Sequence, residues 1–178
     1  MSPILIFADC EVLTTKQEEF LAKKGVFVPR DYCYIPGSGI YKLHKDVANW
    51  NNAGLICMRE GGRLAILKSK QAADVLAQMF KNSNLTCDHS AISAVGVFLG
   101  FHDLFEEGNF QTILGQPLEK TGYSIWTEVW DRQPDNGGVF EGEEGSQNCG
   151  TLASDGGLDD GDCSWKLGFV CEIPMKKQ

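Results

Sequence analysis

No apolar run in this chain approaches twenty residues, so nothing in it reads as a membrane-spanning helix. No two cysteines are spaced Cys-x-x-Cys, which removes the usual grounds for a zinc site or a thioredoxin-type redox pair. Histidine is scarce. His44, His89 and His102 lie far apart and none has a partner four residues away, so each reads as a surface or satisfied polar residue rather than a ligand. Positive charge is also in short supply: 16 Lys and Arg stand against 24 Asp and Glu, a net charge of -8. That balance argues against nucleic acid or an anionic membrane surface as partner, and suits a divalent cation better. The Gly-x-Gly within Pro36-Gly37-Ser38-Gly39 has no helix after it, so it does not indicate a dinucleotide site.

What is present fits one globular domain. The chain has 178 residues, 43% hydrophobic and 22% charged, enough for one sizeable core and too few for two. Seven cysteines point to an oxidising compartment, and so to a secreted, extracellular protein. Because seven is odd, at least one is free or bonded to another chain. Asn84-Leu85-Thr86 is a glycosylation sequon in keeping with secretion. Ile4 to Ala8 is apolar but short, and reads as the tail of a signal peptide with cleavage near Ala8.

The pattern of elements is α+β. Thr15 with Glu18 makes a capping box for a short helix to Lys24, which Gly25 can end. Val26 to Arg30 and Tyr32 to Ile35 read as extended runs, and Tyr41 to His44 as a strand. Val47 to Glu60 has helical spacing, with Trp50, Ala53, Gly54 and Cys57 on one face. Leu64 to Leu67 reads as a short buried strand. Ser69 then caps a helix whose apolar face is Ala72, Ala73, Leu76, Met79 and Phe80. Val95 to Phe101 is a continuous apolar run of strand length. From Gly108 to Asn148 periodicity fades into Gly, Pro and acidic residues, as in a loop that is either functional or disordered, and a strand returns at Gly168 to Ile173.

Polar ligand chemistry concentrates between Trp130 and Cys171. Gln133-Pro134-Asp135 places a proline between two oxygen-bearing side chains, and Asp159-Asp160 is an acidic pair between Cys149 and Cys163. A hard cation such as Ca²⁺ takes six to eight oxygens from carboxylates, side-chain amides and carbonyls on a rigid loop. Gln133, Asp135, Gln147, Asp159 and Asp160 offer such oxygens, and the cysteines offer rigidity. The plainer reading is a solvated loop, since Asn136-Gly137 and Asp155-Gly156 form turns unaided.

In order along the chain, Phe98-Leu99-Gly100-Phe101, Gln133-Pro134-Asp135, Cys149, Leu158-Asp159-Asp160, Cys163 and Cys171 resemble the signature of the C-type lectin-like domain. The resemblance runs from about Tyr34 to Pro174. Tyr41-Lys42-Leu43-His44 and Gly100-Phe101-His102-Asp103-Leu104 resemble the insect hemolymph members. It implies an α+β fold of two helices, small antiparallel sheets and a long calcium-binding loop, with the chain ends meeting in one sheet. Residues 1–33 are expected as an N-terminal arm with a short helix, and 34–178 as the carbohydrate-recognition domain.

The same resemblance implies Cys57 bonded to Cys171 and Cys149 bonded to Cys163. Cys10, Cys33 and Cys87 remain: a pair among them would tether the arm, and the third is open to an intermolecular bond or to burial in reduced form. Gln133, Asp135, Gln147, Asp159 and Asp160 would hold calcium and hydrogen-bond the sugar, with the peptide before Pro134 cis. Asp103 and Glu107, with Asn136 and Gln147 in place of acidic partners, would form a second calcium position.

Three departures from the family pattern stand out. Gln147 replaces a glutamate, Leu158 replaces a tryptophan, and the lengthened loop offers Glu141, Glu143 and Glu144 as substitute ligands. The Gln-Pro-Asp form implies galactose over mannose, with Phe140 the nearest ring for the sugar's apolar face while Trp126 and Trp130 read as core. The expected function is calcium-dependent binding of carbohydrates on microbial surfaces in innate immunity, without catalysis. A homo-oligomer would gain the avidity that one weak site lacks. The alternative is a lectin-like domain that has lost sugar binding and recognises protein. A hydrolase, using Asp or Glu as acid and base, is a distant third.

Overall fold

The computed structural model of the chain describes residues 10–83, 85, 96–129, 132–137 and 146–175. Strand β1 (Glu11–Val12) leads into helix α1 (Thr15–Lys23). The capping box sits one residue earlier than Thr15 and Glu18 would place it. The Thr14 hydroxyl accepts from the Gln17 N–H at 3.4 Å, and Gln17 Oε1 accepts from the Thr14 N–H at 2.7 Å. Both registers satisfy the box, and the earlier one adds a helical residue. Gly25, at φ 69°, ends the helix, with the Val26 N–H returning to the Leu21 carbonyl at 2.9 Å.

Strands β2 (Cys33–Ile35) and β3 (Gly39–Ala48) form a hairpin. The extended run expected over Val26 to Arg30 is not a strand, because none of its backbone is paired in a ladder. Helix α2 (Trp50–Arg59) also starts later than expected. Val47 and Ala48 are drawn into β3, where Ala48 pairs with Leu167, and Asn49 caps the helix by accepting from the Asn52 N–H at 2.9 Å. Sheet pairing overrides helical periodicity there. Of the run expected as a strand from Leu64 to Leu67, only β4 (Arg63–Leu64) is one, although all four residues are buried. Helix α3 (Lys70–Asn82) is capped by Ser69 and buries Ala72, Ala73, Leu76 and Phe80.

The remaining strands are β5 (Val97–His102), β6 (Gln111–Thr112), β7 (Gln147–Leu152), β8 (Leu158–Asp162) and β9 (Leu167–Ile173). The sheet order is β1-β2-β3-β9-β5-β7-β8, with β4 on β9 and β6 on β5. Early β3 and terminal β9 lie side by side, so the chain ends meet in one sheet. Instead of separate small sheets there is one, whose halves join through a single parallel pair, Phe98 opposite Phe169. Strand β5 explains its own apolar run. Val97, Leu99 and Phe101 pack with α3, while Phe98 faces the cluster around α2, so both faces are covered.

Cys57–Cys171 ties α2 to β9 across 114 residues of sequence, a crosslink worth about 4–5 kcal/mol if its effect is chain entropy. Cys149–Cys163 braces the β7–β8 end, and Cys10–Cys33 anchors the arm. The arm also docks through Tyr32, whose hydroxyl donates to Glu60 at 2.7 Å. Cys87, and Asn84 and Thr86 of the sequon, lie outside the described residues.

Candidate functional site

Strands β7 and β8 carry the acidic pair. Thr151 lies opposite Asp159 and Gly150 opposite Asp160, and the Cys149–Cys163 bond closes the same end. Leu158, where the resemblance leads one to expect a tryptophan, is buried in the core. Its N–H donates to the Ile125 carbonyl at 2.8 Å and its carbonyl accepts from the Thr127 N–H at 2.7 Å, which holds the incoming loop against β8.

The loop then turns over Asp160. The Gln133–Pro134 peptide is cis. The Asp135 N–H at 3.2 Å and the Asn136 N–H at 2.7 Å both donate to the Asp160 carboxylate. Asn136 takes a left-handed φ of 50°, and its Oδ1 accepts from the Gln147 N–H at 3.0 Å. Asp135 accepts from the Gly137 N–H at 2.9 Å. Gln133, Asp135 and Asn136 are thus mounted between β8 and the start of β7, where Gln147 lies.

The electrostatics of this cluster are unbalanced. Asp159 and Asp160 are 4% and 1% exposed, and among the described residues neither they nor Asp135 is in an ion pair. Burial, then the neighbouring charges of Asp160, Asp135 and Asp155, pushes Asp159 up to about 7. Burial likewise pushes Asp160 up to about 6, against the N–H donors of Asn136 and Asp135 that favour its charge. Among the described residues, Gln133 Oε1 is buried with no hydrogen-bond donor. Crowded carboxylates beside an orphaned amide oxygen make an all-oxygen donor set, and a hard divalent cation fits it.

A second acidic position follows β5. Asp103 is 1% exposed; its Oδ2 accepts from the Gly108 N–H at 2.8 Å while its Oδ1 has no partner among the described residues. Burial raises Asp103, and burial followed by the Asp103 charge raises Glu107, so these two acids share one neighbourhood. The backbone ties it to the first site, because the Asp103 N–H donates to the Asn148 carbonyl at 3.1 Å, next to Gln147. Asn136, expected at this second position, makes its hydrogen bonds with Asp160 and Gln147 instead.

Phe140, Glu141, Glu143, Glu144 and Trp130 lie outside the described residues. Trp126 is half-buried against Phe101 and Phe110, in keeping with a core role. His44 stacks on Phe169 at 4.4 Å and lies 3.0 Å from Glu60, while His102 is buried edge-on to Trp50. The sulfur near His44 and Glu60 belongs to Cys171, which is bonded to Cys57 and is no metal ligand. Sequence reasoning missed Asp155 as part of the site. It accepts from the Thr127 hydroxyl at 2.7 Å and adds its charge to Asp159, whereas Asp155-Gly156 signalled only a turn.

Comparison with known proteins agrees with this architecture. The Lectin C-type domain family model matches residues 46–173. The chain is 40% identical over 148 residues to the hemolymph lipopolysaccharide-binding protein of Periplaneta americana, covering 83% of this chain and 54% of that protein. It superposes on the mouse scavenger receptor C-type lectin carbohydrate-recognition domain with a TM-score of 0.62 at 20% identity, covering 83% of this chain and 98% of that one. The cow CD23 domain, solved in the presence of a GlcNAc2Man3 oligosaccharide, gives 0.61 at 25% identity, covering 85% and 99%. The chain belongs to the C-type lectin domain family. As a member it is a binding protein rather than an enzyme. It spans about half the length of the curated relatives it matches.

Proposed function

We propose that this chain is a secreted, calcium-dependent carbohydrate-binding domain that recognises glycans on microbial surfaces in innate immunity. The observation that carries the reading, among the described residues, is the buried, unpaired carboxylates of Asp159 and Asp160 beside the half-buried Asp135 and the orphaned Gln133 Oε1. Calcium, when bound, would supply positive charge and open coordination positions for two vicinal sugar hydroxyls. Asp135, Asp159 and Asp160 would hold the ion, with Gln133 and Gln147 contributing amide oxygens. Asp103 and Glu107 are candidates for a second ion.

The chain's own residues do the positioning. Asp160 orients the Asp135–Asn136 turn through two backbone donors, and Asn136 fastens that turn to β7. The Gln-Pro-Asp order puts the charged side chain after the proline and the amide before it, which supports a galactose-type preference. The relative named for binding lipopolysaccharide supports a microbial glycan as target, and the disulfides support an extracellular setting. Several copies acting together would supply avidity.

Calcium titration followed by melting temperature, and then by galactose competition against immobilised glycan, tests the reading. A rise in melting temperature with calcium and calcium-dependent, galactose-displaced binding is expected. If millimolar calcium changes neither, the protein-recognition alternative replaces it.

A further inference from the structure

A groove of about 620 Å³ adjoins the candidate calcium site and is lined by Ile125, Trp126, Thr127, Glu128, Arg132 and Gln133. Its size falls within the range of ordinary small-ligand sites. Gln133 belongs to both the groove and the oxygen cluster, so the two are continuous. The indole of Trp126 is held by edge contacts to Phe110 at 4.8 Å and Phe101 at 6.0 Å between ring centres. That gives the groove a fixed aromatic wall. Ile125, 56% exposed, adds apolar surface beside it. The Thr127 hydroxyl is already committed to Asp155, so it orders the wall rather than offering a free donor.

Arg132 gives the groove its chemical character. It is the sole Lys or Arg between Lys120 and Lys166, in a stretch otherwise rich in Asp and Glu. Its side chain is exposed and makes no ion pair with any described residue. A guanidinium presents a planar fork of donors that matches a carboxylate or a phosphate with two parallel hydrogen bonds. An aromatic wall beside it suits the apolar face of a pyranose. With a net charge of -8 the chain as a whole repels anionic glycans, so an isolated cation at the rim of the site governs where one can settle.

We propose that this groove is a second sugar subsite, taking the residue next to the one held at the candidate calcium site, and that Arg132 selects there for a sugar bearing an anionic carboxylate or phosphate. The inference rests on the calcium-dependent lectin reading. Glu128 lines the same groove and opposes an anion, so it tempers the selection that Arg132 exerts.

The experiment is a calcium-loaded array of the full chain on matched neutral, uronic-acid and phosphorylated oligosaccharides, with Arg132→Gln and Glu128→Gln alongside. One charge-assisted contact predicts about tenfold tighter binding of the anionic members than of their neutral matches. Arg132→Gln brings that ratio close to one, and Glu128→Gln raises it. Arg132 is on the surface, so its replacement leaves the fold intact. Preference for uronic acids alone or for phosphates alone identifies the source of the charge. Equal binding of neutral and anionic glycans by the unaltered chain, or a preference that survives Arg132→Gln, overturns the inference while leaving the lectin reading standing. Absence of calcium-dependent binding to every glycan overturns the lectin reading itself, and the subsite with it.

Discussion

Glu172 and the Asp159–Asp160 pair are buried to the same degree in the same sheet, yet their surroundings are opposite. Glu172 is 2% exposed on β9, accepts from Arg63 Nε at 2.7 Å and lies 3.5 Å from Lys68 Nζ. Glu60, at the end of α2, is likewise surrounded by Tyr32, Lys42 and His44. Among the described residues, the carboxylates of Asp159 and Asp160 receive only backbone N–H donors. Where a carboxylate serves the fold, this chain supplies the cation itself. At the loop it supplies acids that, among the described residues, no cation pairs with.

The two regions should therefore respond oppositely to neutralisation. Arg63→Ala leaves Glu172 with a poorly placed lysine, and is expected to cost about 3 kcal/mol in urea unfolding with or without calcium. Asp159→Asn should do the reverse and stabilise the calcium-free chain, because it removes a crowded charge. A destabilising result would mean that Asp159 is neutralised by a group outside the described residues.

Calcium at a hundred times its dissociation constant should add about 2.7 kcal/mol. Asp160→Asn, which keeps an acceptor for Asp135 and Asn136, should erase most of that gain, and calorimetry with and without the ion measures both.

The pH dependence sharpens the same contrast. In the calcium-free fold Asp159 holds its proton up to about 7 and Asp160 to about 6. Unfolded carboxylates release theirs near ~4. The folded state binds more protons across that window, so calcium-free stability is fullest below it and falls as pH rises from there towards 7. Saturating calcium should flatten the fall, since the ion competes with those protons. Unfolding midpoints at stepped pH, with and without chelator, read the difference. A curve that rises through the window would show that the pair is not crowded.

The smallest expected effect concerns Gln147. Gln147→Glu should tighten calcium by up to about tenfold if the amide belongs to the cage, because ligand charge count governs affinity. If Glu141, Glu143 or Glu144 already fills that place, the same change is neutral or harmful, and replacing each by Gln in turn reveals which.

Much of this was readable from local chemistry. Ser69 and the apolar spacing after it marked α3, because a cap and an amphipathic face are both short-range signals. The length and polarity of the Gly108 to Asn148 stretch, with Gln133-Pro134-Asp135 inside it and Asp159-Asp160 beyond it, marked the candidate site. The beginning of α2 was not readable, since the Ala48 to Leu167 pairing that delays it spans most of the chain. Nor was the Glu60 network, whose partners Tyr32, Lys42 and His44 come from two other segments.

By itself the sequence determined the class of elements and the acidic oxygens. Those follow from residue type and short spacing, which need no long-range geometry. Only the tertiary structure decided which acids are buried without a cation among the described residues, that Asp155 crowds Asp159, and that Trp126 and Arg132 line a groove shared with Gln133. Burial and charge pairing depend on distances between remote segments, and those distances exist only once β5 is pressed between β7 and β9.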